Sequence, residues 1–190
     1  MDPKTQRMLL ACAGSAGGSD PIYVDDVYST RRYVGTGSSQ SINNGIDISG
    51  EGGLVWCKNL NDSVSHILQD TERGTNALES NSSSAEFSYT SGISSFTSSG
   101  FTVGNANAVN GSGKHICSWT FRKCPGFFDI VTYTGNGSNR AIAHNLGSKP
   151  GFMMIKNLST NNTYWRTYHR SRGATTVSYT HLTLPTICSV

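Results

Sequence analysis

A chain of 190 residues with 14% charged residues and a net charge of +3 is long enough for one well-buried domain and part of another. Its apolar residues, 36% of the total, come in short clumps, and no run approaches the roughly 20 residues of a bilayer-spanning helix, which excludes membrane insertion. The basic residues are scattered, as in Arg31-Arg32, Arg122-Lys123 and Arg166, Arg170 and Arg172, without the clustering and interleaved aromatics of a nucleic-acid surface.

In chain order, Asp2 caps a helix with Pro3 at its first position, Met8, Leu9 and Cys12 form an apolar stripe, and Gly14 stops it. This predicts a short helix over 3–13, a peg whose stripe needs a neighbouring subunit, followed by a Gly/Ser linker. From Ile22 onward, short β-branched and aromatic runs are closed by Gly, Asn, Ser and Asp. They predict strands over 22–28, 31–34, 41–48, 54–58, 66–70, 86–89, 101–103, 114–121, 127–133, 152–156 and 164–169. Asn44-Gly45, Asn110-Gly111 and Asn136-Gly137 suit tight turns with positive φ. Over 114–121, Cys117, Trp119 and Phe121 share one face while Ile116, Ser118 and Thr120 share the other. That period of two predicts a sheet covered on one side, with Trp56, Trp119, Phe121 and Phe101 in the core. Strands at this spacing, without helices between them, make an all-β antiparallel sandwich of jelly-roll type.

The five cysteines, Cys12, Cys57, Cys117, Cys124 and Cys188, form no CxxC pair and have no His at zinc-ligand spacing. Cys57 and Cys117 lie in apolar strands and read as small buried hydrophobes; a disulfide between them is the alternative. The last stretch is anomalous. All ten residues from Val177 to Thr186 match, in register, the translation of a transposase library adapter. Residues 177–190 are therefore expected to be adapter-derived and to take no part in the fold.

A long-period repeat runs through the remainder. Tyr33-Val-Gly-Thr-Gly37 returns as Tyr133-Thr-Gly-Asn-Gly137, Lys58-Asn59-Leu60 as Lys156-Asn157-Leu158, and Arg73-Gly74 as Arg172-Gly173, at offsets of 100, 98 and 99 residues. A period this long implies whole domains strung together rather than a thin solenoid. The organisation expected is an N-terminal helix and linker (1–21), a complete module (22–125), a truncated second module (126–176) and the anomalous end (177–190). Tyr33-Val-Gly-Thr-Gly, Gly53-Leu-Val-Trp-Cys-Lys-Asn59, Ser65-His-Ile-Leu-Gln-Asp-Thr-Glu-Arg-Gly74, Ser95-Phe-Thr-Ser-Ser-Gly-Phe-Thr-Val-Gly104, and Val109-Asn-Gly-Ser-Gly113 with Trp119-Thr-Phe121 together resemble a module repeated in tail-fibre and virion structural proteins of marine tailed phages. The resemblance covers about residues 20–173. It implies a concanavalin- or laminin-G-like sandwich located in the virion, assembled in the host cytoplasm, with other virion proteins or a second copy and a host-surface glycan or protein as partners. Cys57 departs from the β-branched residue usual at its position.

The chemistry of an enzyme is not evident in these residues. There is no nucleophile elbow, phosphate loop or HExxH helix. Asp70 and Glu72 lie two apart, a spacing some sandwich glycosidases use, but Arg73 follows directly, which favours an ion-paired turn. Asp25, Asp26, Asp47 and Asp70 are the carboxylates to inspect for calcium, with acidic turn residues the simpler reading and no cofactor expected. Trp165, flanked by Tyr164, Tyr168 and arginines, is the candidate for an exposed sugar-stacking platform. The candidate ligand-binding residues are thus Trp165, Tyr164, Tyr168, Asp70, Glu72 and Arg73. The functions expected are, first, a non-enzymatic virion protein adhering by multivalent binding; second, a carbohydrate-binding module of a bacterial surface protein; third, a glycoside-active enzyme.

Overall fold

The computed structural model describes residues 22–172 and the strand Ser178–Tyr179. The helix expected over 3–13 lies outside the described residues. The elements are α1 (Val24–Val27), β1 (Tyr28–Val34), β2 (Gln40–Asn43), β3 (Gly53–Asn59), β4 (Ile67–Asp70), β5 (Asn76–Glu79), β6 (Phe87–Ser88), β7 (Ile93–Thr97), β8 (Gly100–Val103), α2 (Asn107–Asn110), β9 (His115–Arg122), β10 (Phe152–Ile155), β11 (Arg166–His169) and β12 (Ser178–Tyr179).

A six-stranded sheet in the order β1-β9-β3-β4-β5-β6 and a three-stranded sheet β2-β8-β7 are paired antiparallel throughout. The fold is an all-β antiparallel sandwich, as the spacing of short apolar runs predicts. Between the sheets, Ile42, Ile93, Phe101 and Val103 of the small sheet meet Val55, Cys57, Ile67, Ala77 and Ile116 of the large one, and α2 adds Ala108 and Val109. Two strands of the sandwich escaped the sequence reading. β5 is short and carries a single large apolar residue, Leu78, and β7 has polar Ser94 and Ser95 between Ile93 and Phe96. Conversely, the start of the predicted 22–28 strand forms α1, where the Asp26 carboxylate accepts from the Tyr23 N–H at 2.8 Å.

The expectation that the large sheet is covered on one side is corrected: apolar packing lies on both faces. In β9 the inward row is Ile116, Ser118 and Thr120, all buried, while Trp119 and Phe121 face the other way and are half-buried. Polar side chains line an interior when a partner satisfies each of them. The Asn44 Nδ2 donates to Thr120 Oγ1 at 2.7 Å and the Ser118 hydroxyl to the Arg31 carbonyl at 3.2 Å. Gln69, fully buried, ties the two sheets together: its Oε1 accepts from the Ile93 N–H at 2.7 Å and its Nε2 donates to the Thr75 carbonyl at 3.1 Å. On the outer face Trp119, Trp56, Leu68 and Leu78 are successive partners across β9, β3, β4 and β5.

That outer row is covered by the second repeat. Trp165 packs on Trp56, Leu68 and Leu78, with Met154 and Leu158 beside it. The connection is pinned by the Glu86 N–H to the Leu158 carbonyl at 3.0 Å and the Ala85 N–H to Asn161 Oδ1 at 2.8 Å. The hairpin β10–β11 also reproduces β3–β4 pair for pair. Leu54 opposite Asp70 and Cys57 opposite Ile67 have as counterparts Phe152 opposite His169 and Ile155 opposite Arg166. The Asn59 Oδ1 accepts from the N–H groups of Asn61 and Asp62, and Asn157 Oδ1 accepts from those of Ser159 and Thr160.

Among the described residues the copy is partial. In the first repeat β1 pairs with β9, and among the described residues β9 has no counterpart after β11. The strand predicted over 127–133 accordingly reduces to a single bridge, Cys124 to Phe128, and residues 131–141 are exposed. The expectation that nothing beyond residue 176 joins the fold is corrected in one respect, since β12 pairs with β11. Its register differs from that of β5 by one residue. Ile67 faces Glu79, whereas its counterpart Arg166 faces Tyr179 rather than Ser178.

Candidate functional site

The six candidate residues fall into two separate places. Asp70, at the end of β4, is 3% exposed and closes a turn. Its Oδ1 accepts from the N–H groups of Glu72 at 3.1 Å and Arg73 at 3.0 Å, and its Oδ2 takes the Arg73 guanidinium at 2.8 and 2.5 Å. A carboxylate so saturated has no lone pair directed at a substrate. Glu72 pairs with Lys123 at 2.6 Å, and Arg73 also reaches Glu86 at 3.6 Å. These three residues form an ion-paired turn, the simpler of the two sequence readings.

Trp165 corrects the expectation of an exposed platform. It is 4% exposed and its Nε1 donates to the Glu79 carbonyl at 3.0 Å. The reason is strand parity: residues alternate between faces, so Trp165 points to the first repeat while Tyr164 and Tyr168 belong to the opposite side. Met153 lies opposite Tyr168 and Ile155 opposite Arg166. The outward face of β10–β11 therefore presents Met153, Ile155, Tyr164, Arg166 and Tyr168. Met153, Ile155 and Tyr164 are 36%, 42% and 51% exposed, whereas Val55 and Cys57, the counterparts of the first two, are completely buried. This face combines aliphatic and aromatic side chains with one guanidinium.

A second place was missed in the sequence. Asn110 is fully buried at the end of α2, and the Gly-rich turn after β1 folds around it. Its Oδ1 accepts from the Thr36 N–H and Gln40 Nε2, both at 2.8 Å, and its Nδ2 donates to the carbonyls of Ser38 at 2.6 Å and Gly104 at 2.5 Å. The Tyr33 hydroxyl donates to the adjacent Val109 carbonyl at 2.6 Å. The signal was present in Val109-Asn-Gly-Ser-Gly113, but Asn-Gly reads first as a hairpin turn.

The buried titratable groups are structural. Burial pushes the Cys57 thiol up to about 12, the direction opposite to nucleophile activation. Cys57 carries a free thiol whereas Cys117 is disulfide-bonded, so the Cys57–Cys117 bridge is not made. His66, between β3 and β5 on the outer face, is held down to about 4 by burial and by nearby Lys58. Asp47 closes its own turn, accepting from Ser49 and Gly50. Among the described residues no three His, Cys, Asp or Glu side chains gather as metal ligands, and no helix is long and apolar enough to cross a membrane.

No curated protein and no solved structure matches the chain. A family match spans residues 24–186, so it takes in both repeats and runs past Thr176 into the anomalous end. The chain belongs to the family described as domain of unknown function DUF7483.

Proposed function

We propose that the chain is a structural and host-adhesion component of a tailed-phage virion, acting without catalysis by presenting rigid repeated modules. The observation that carries this reading is the β10–β11 hairpin, a register-for-register copy of β3–β4 seated on the outer face of the first module. A surface repeated along one chain, and over many chains of a particle, turns later contacts into intramolecular ones and raises avidity by about 10²–10⁴. The motifs shared with marine phage tail-fibre proteins support the location. The ion-paired state of Asp70 and Glu72 supports binding rather than glycoside chemistry.

The test compares envelope preparations of marine bacterial hosts binding the purified chain as a monomer and as a streptavidin-linked tetramer. The tetramer is expected to bind at least a hundredfold more tightly, and the chain's peptides to be found by mass spectrometry in purified particles that encode it. Equal affinity of monomer and tetramer, or turnover of the bound material, contradicts the proposal.

The outward Tyr164 and Tyr168 favour a second reading, a carbohydrate-binding module, because aromatic faces stack on sugar rings. Under that reading a monomer binds a purified glycan on its own and loses binding in Tyr168→Ala, with Trp165→Phe unaffected.

A further inference from the structure

The sequence holds three Asn-Gly pairs, Asn44-Gly45, Asn110-Gly111 and Asn136-Gly137, and the fold treats them differently. An Asn followed by Gly is prone to lose its side-chain amide. The glycine nitrogen attacks the Asn Cγ and gives up its proton, a five-membered succinimide closes as ammonia leaves, and water then opens the ring at either carbonyl to aspartate or isoaspartate. The reaction requires a glycine N–H free of any acceptor, an Asn side chain able to swing its Cγ onto that nitrogen, and backbone room for the ring. Glycine, with no Cβ, leaves the most room.

Two of the pairs are locked. The Gly-rich turn of the first repeat cradles Asn110, which is fully buried and whose amide makes four hydrogen bonds. The Gly111 N–H donates to the Asn107 carbonyl at 3.3 Å, and packing is so close that a Cβ on Gly35 would sit 2.2 Å from the Gly111 oxygen. Asn44 donates to Thr120 Oγ1 at 2.7 Å and accepts from the Ile46 N–H at 3.1 Å, while the Gly45 N–H donates to the Ser99 carbonyl at 3.0 Å.

The second repeat builds the same turn without the lock. Gly37 and Gly137 both take the left-handed conformation, at φ 70° and 74°. The Ser38 N–H donates to Thr36 Oγ1 at 3.3 Å and the Ser138 N–H to Asn136 Oδ1 at 3.1 Å. The Gly37 N–H, however, donates to the Asn110 carbonyl at 2.9 Å, whereas among the described residues the Gly137 N–H meets no acceptor and Asn136 Nδ2 donates to none. Nothing among the described residues lies within 4 Å of a Cβ on Gly135 or Gly137. Residues 131–141 are exposed, and Asn136, Gly137 and Arg140 help to line a cleft of about 370 Å³, so water reaches the ring for the second step.

We propose that Asn136 is a site of spontaneous deamidation, converting to aspartate and isoaspartate in the folded chain while Asn44 and Asn110 are held back by the fold. The conversion puts a carboxylate into the turn that carries Arg140 and lowers the net charge of +3 by one. Isoaspartate also lengthens the backbone and removes the acceptor of the Ser138 N–H. The second turn thus changes with age while the first does not. This chemistry belongs to the chain alone and stands apart from the adhesion reading.

The experiment incubates the intact chain at mildly alkaline pH, with a parallel sample in denaturant, and follows tryptic peptides over time by tandem mass spectrometry. In the folded chain Asn136 should convert, gaining one mass unit. Asn44 and Asn110 should convert at least about tenfold more slowly, because the bonds that hold them must open before attack. In denaturant the three rates should converge. On isoelectric focusing, Asn136→Gln should abolish the acidic species that accumulates in the folded wild type. The proposal is overturned if Asn136 stays intact in the folded chain, if Asn44 or Asn110 converts as fast, or if the acidic species persists in Asn136→Gln. An equal preference for Asn136 in denaturant also overturns it, by tracing the selectivity to sequence rather than to the fold.

Discussion

Lys58 and Lys156 occupy the same position in the two hairpins and make the same bond: Lys58 Nζ donates to the Val64 carbonyl at 3.4 Å, and Lys156 Nζ to that of Thr163, its counterpart, at 2.8 Å. Each ammonium is desolvated, which holds its pKa below the ordinary lysine value. Between the lowered folded pKa and the unfolded value of about 10.4, the unfolded chain binds more protons, so these lysines make stability rise with pH in that window. Denaturant midpoints of wild type and of Lys156→Met should therefore converge or reverse between pH 7 and 10, in the direction that favours wild type at the higher pH. A pH-independent difference would show that the ammonium is solvated.

His66 gives the opposite end of the pH scale. Its pKa is lowered to about 4 and its Nδ1 has no hydrogen-bond partner among the described residues. A base with a depressed folded pKa contributes stability that is present above the unfolded value of about 6.5 and is lost as pH falls through the folded value. Wild type should lose on the order of 2–3 kcal/mol relative to His66→Gln between pH 6.5 and 4, read from urea midpoints. Parallel pH profiles for the two proteins would contradict the buried, neutral imidazole.

Trp165 joins the two repeats. Replacing it by alanine should cost about 3–5 kcal/mol, the range for deleting a large aromatic from a packed site. Trp165→Phe should cost less, losing the Nε1 bond to Glu79 and part of the ring. Thermal or chemical unfolding checks both, and a neutral Trp165→Ala would restore the exposed platform.

The cradle around Asn110 makes a paired prediction. Asn110→Ala removes the bonds that the buried amide makes to the Thr36 N–H and the Gly104 carbonyl and should cost about 2–3 kcal/mol, since a buried group left unpaired costs about 1–3. Gly35→Ala should also destabilise strongly, because backbone rather than a flexible side chain blocks its Cβ.

Much of this architecture was legible in the sequence. Short apolar runs such as that around Trp56 and the alternation over 114–121, together with Gly and Asn at the turns, located the strands, and the Lys-Asn-Leu anchors located the copied hairpin. What misled was polarity. Ser118 and Thr120 are buried yet stood on the face expected to be uncovered, because the Asn44 side chain and the Arg31 carbonyl that bond them are distant in sequence. Phe121 and Trp119 were placed in the sandwich core for the complementary reason: sequence shows that a face is apolar but not which neighbour covers it. Trp165 belongs to the same class of error, since an aromatic cluster looks like one platform until the strand register separates Tyr164 and Tyr168 from it.

Hydrogen exchange on the intact chain tests the central claim, that β10–β11 is a second copy of β3–β4 held on the first. The paired amides of Phe152–Ile155 and Arg166–His169 should be protected in wild type, and in Trp165→Ala they should lose protection while β3, β4 and β9 keep theirs. Exchange of the β10–β11 amides at unprotected rates in the wild-type chain would contradict the account.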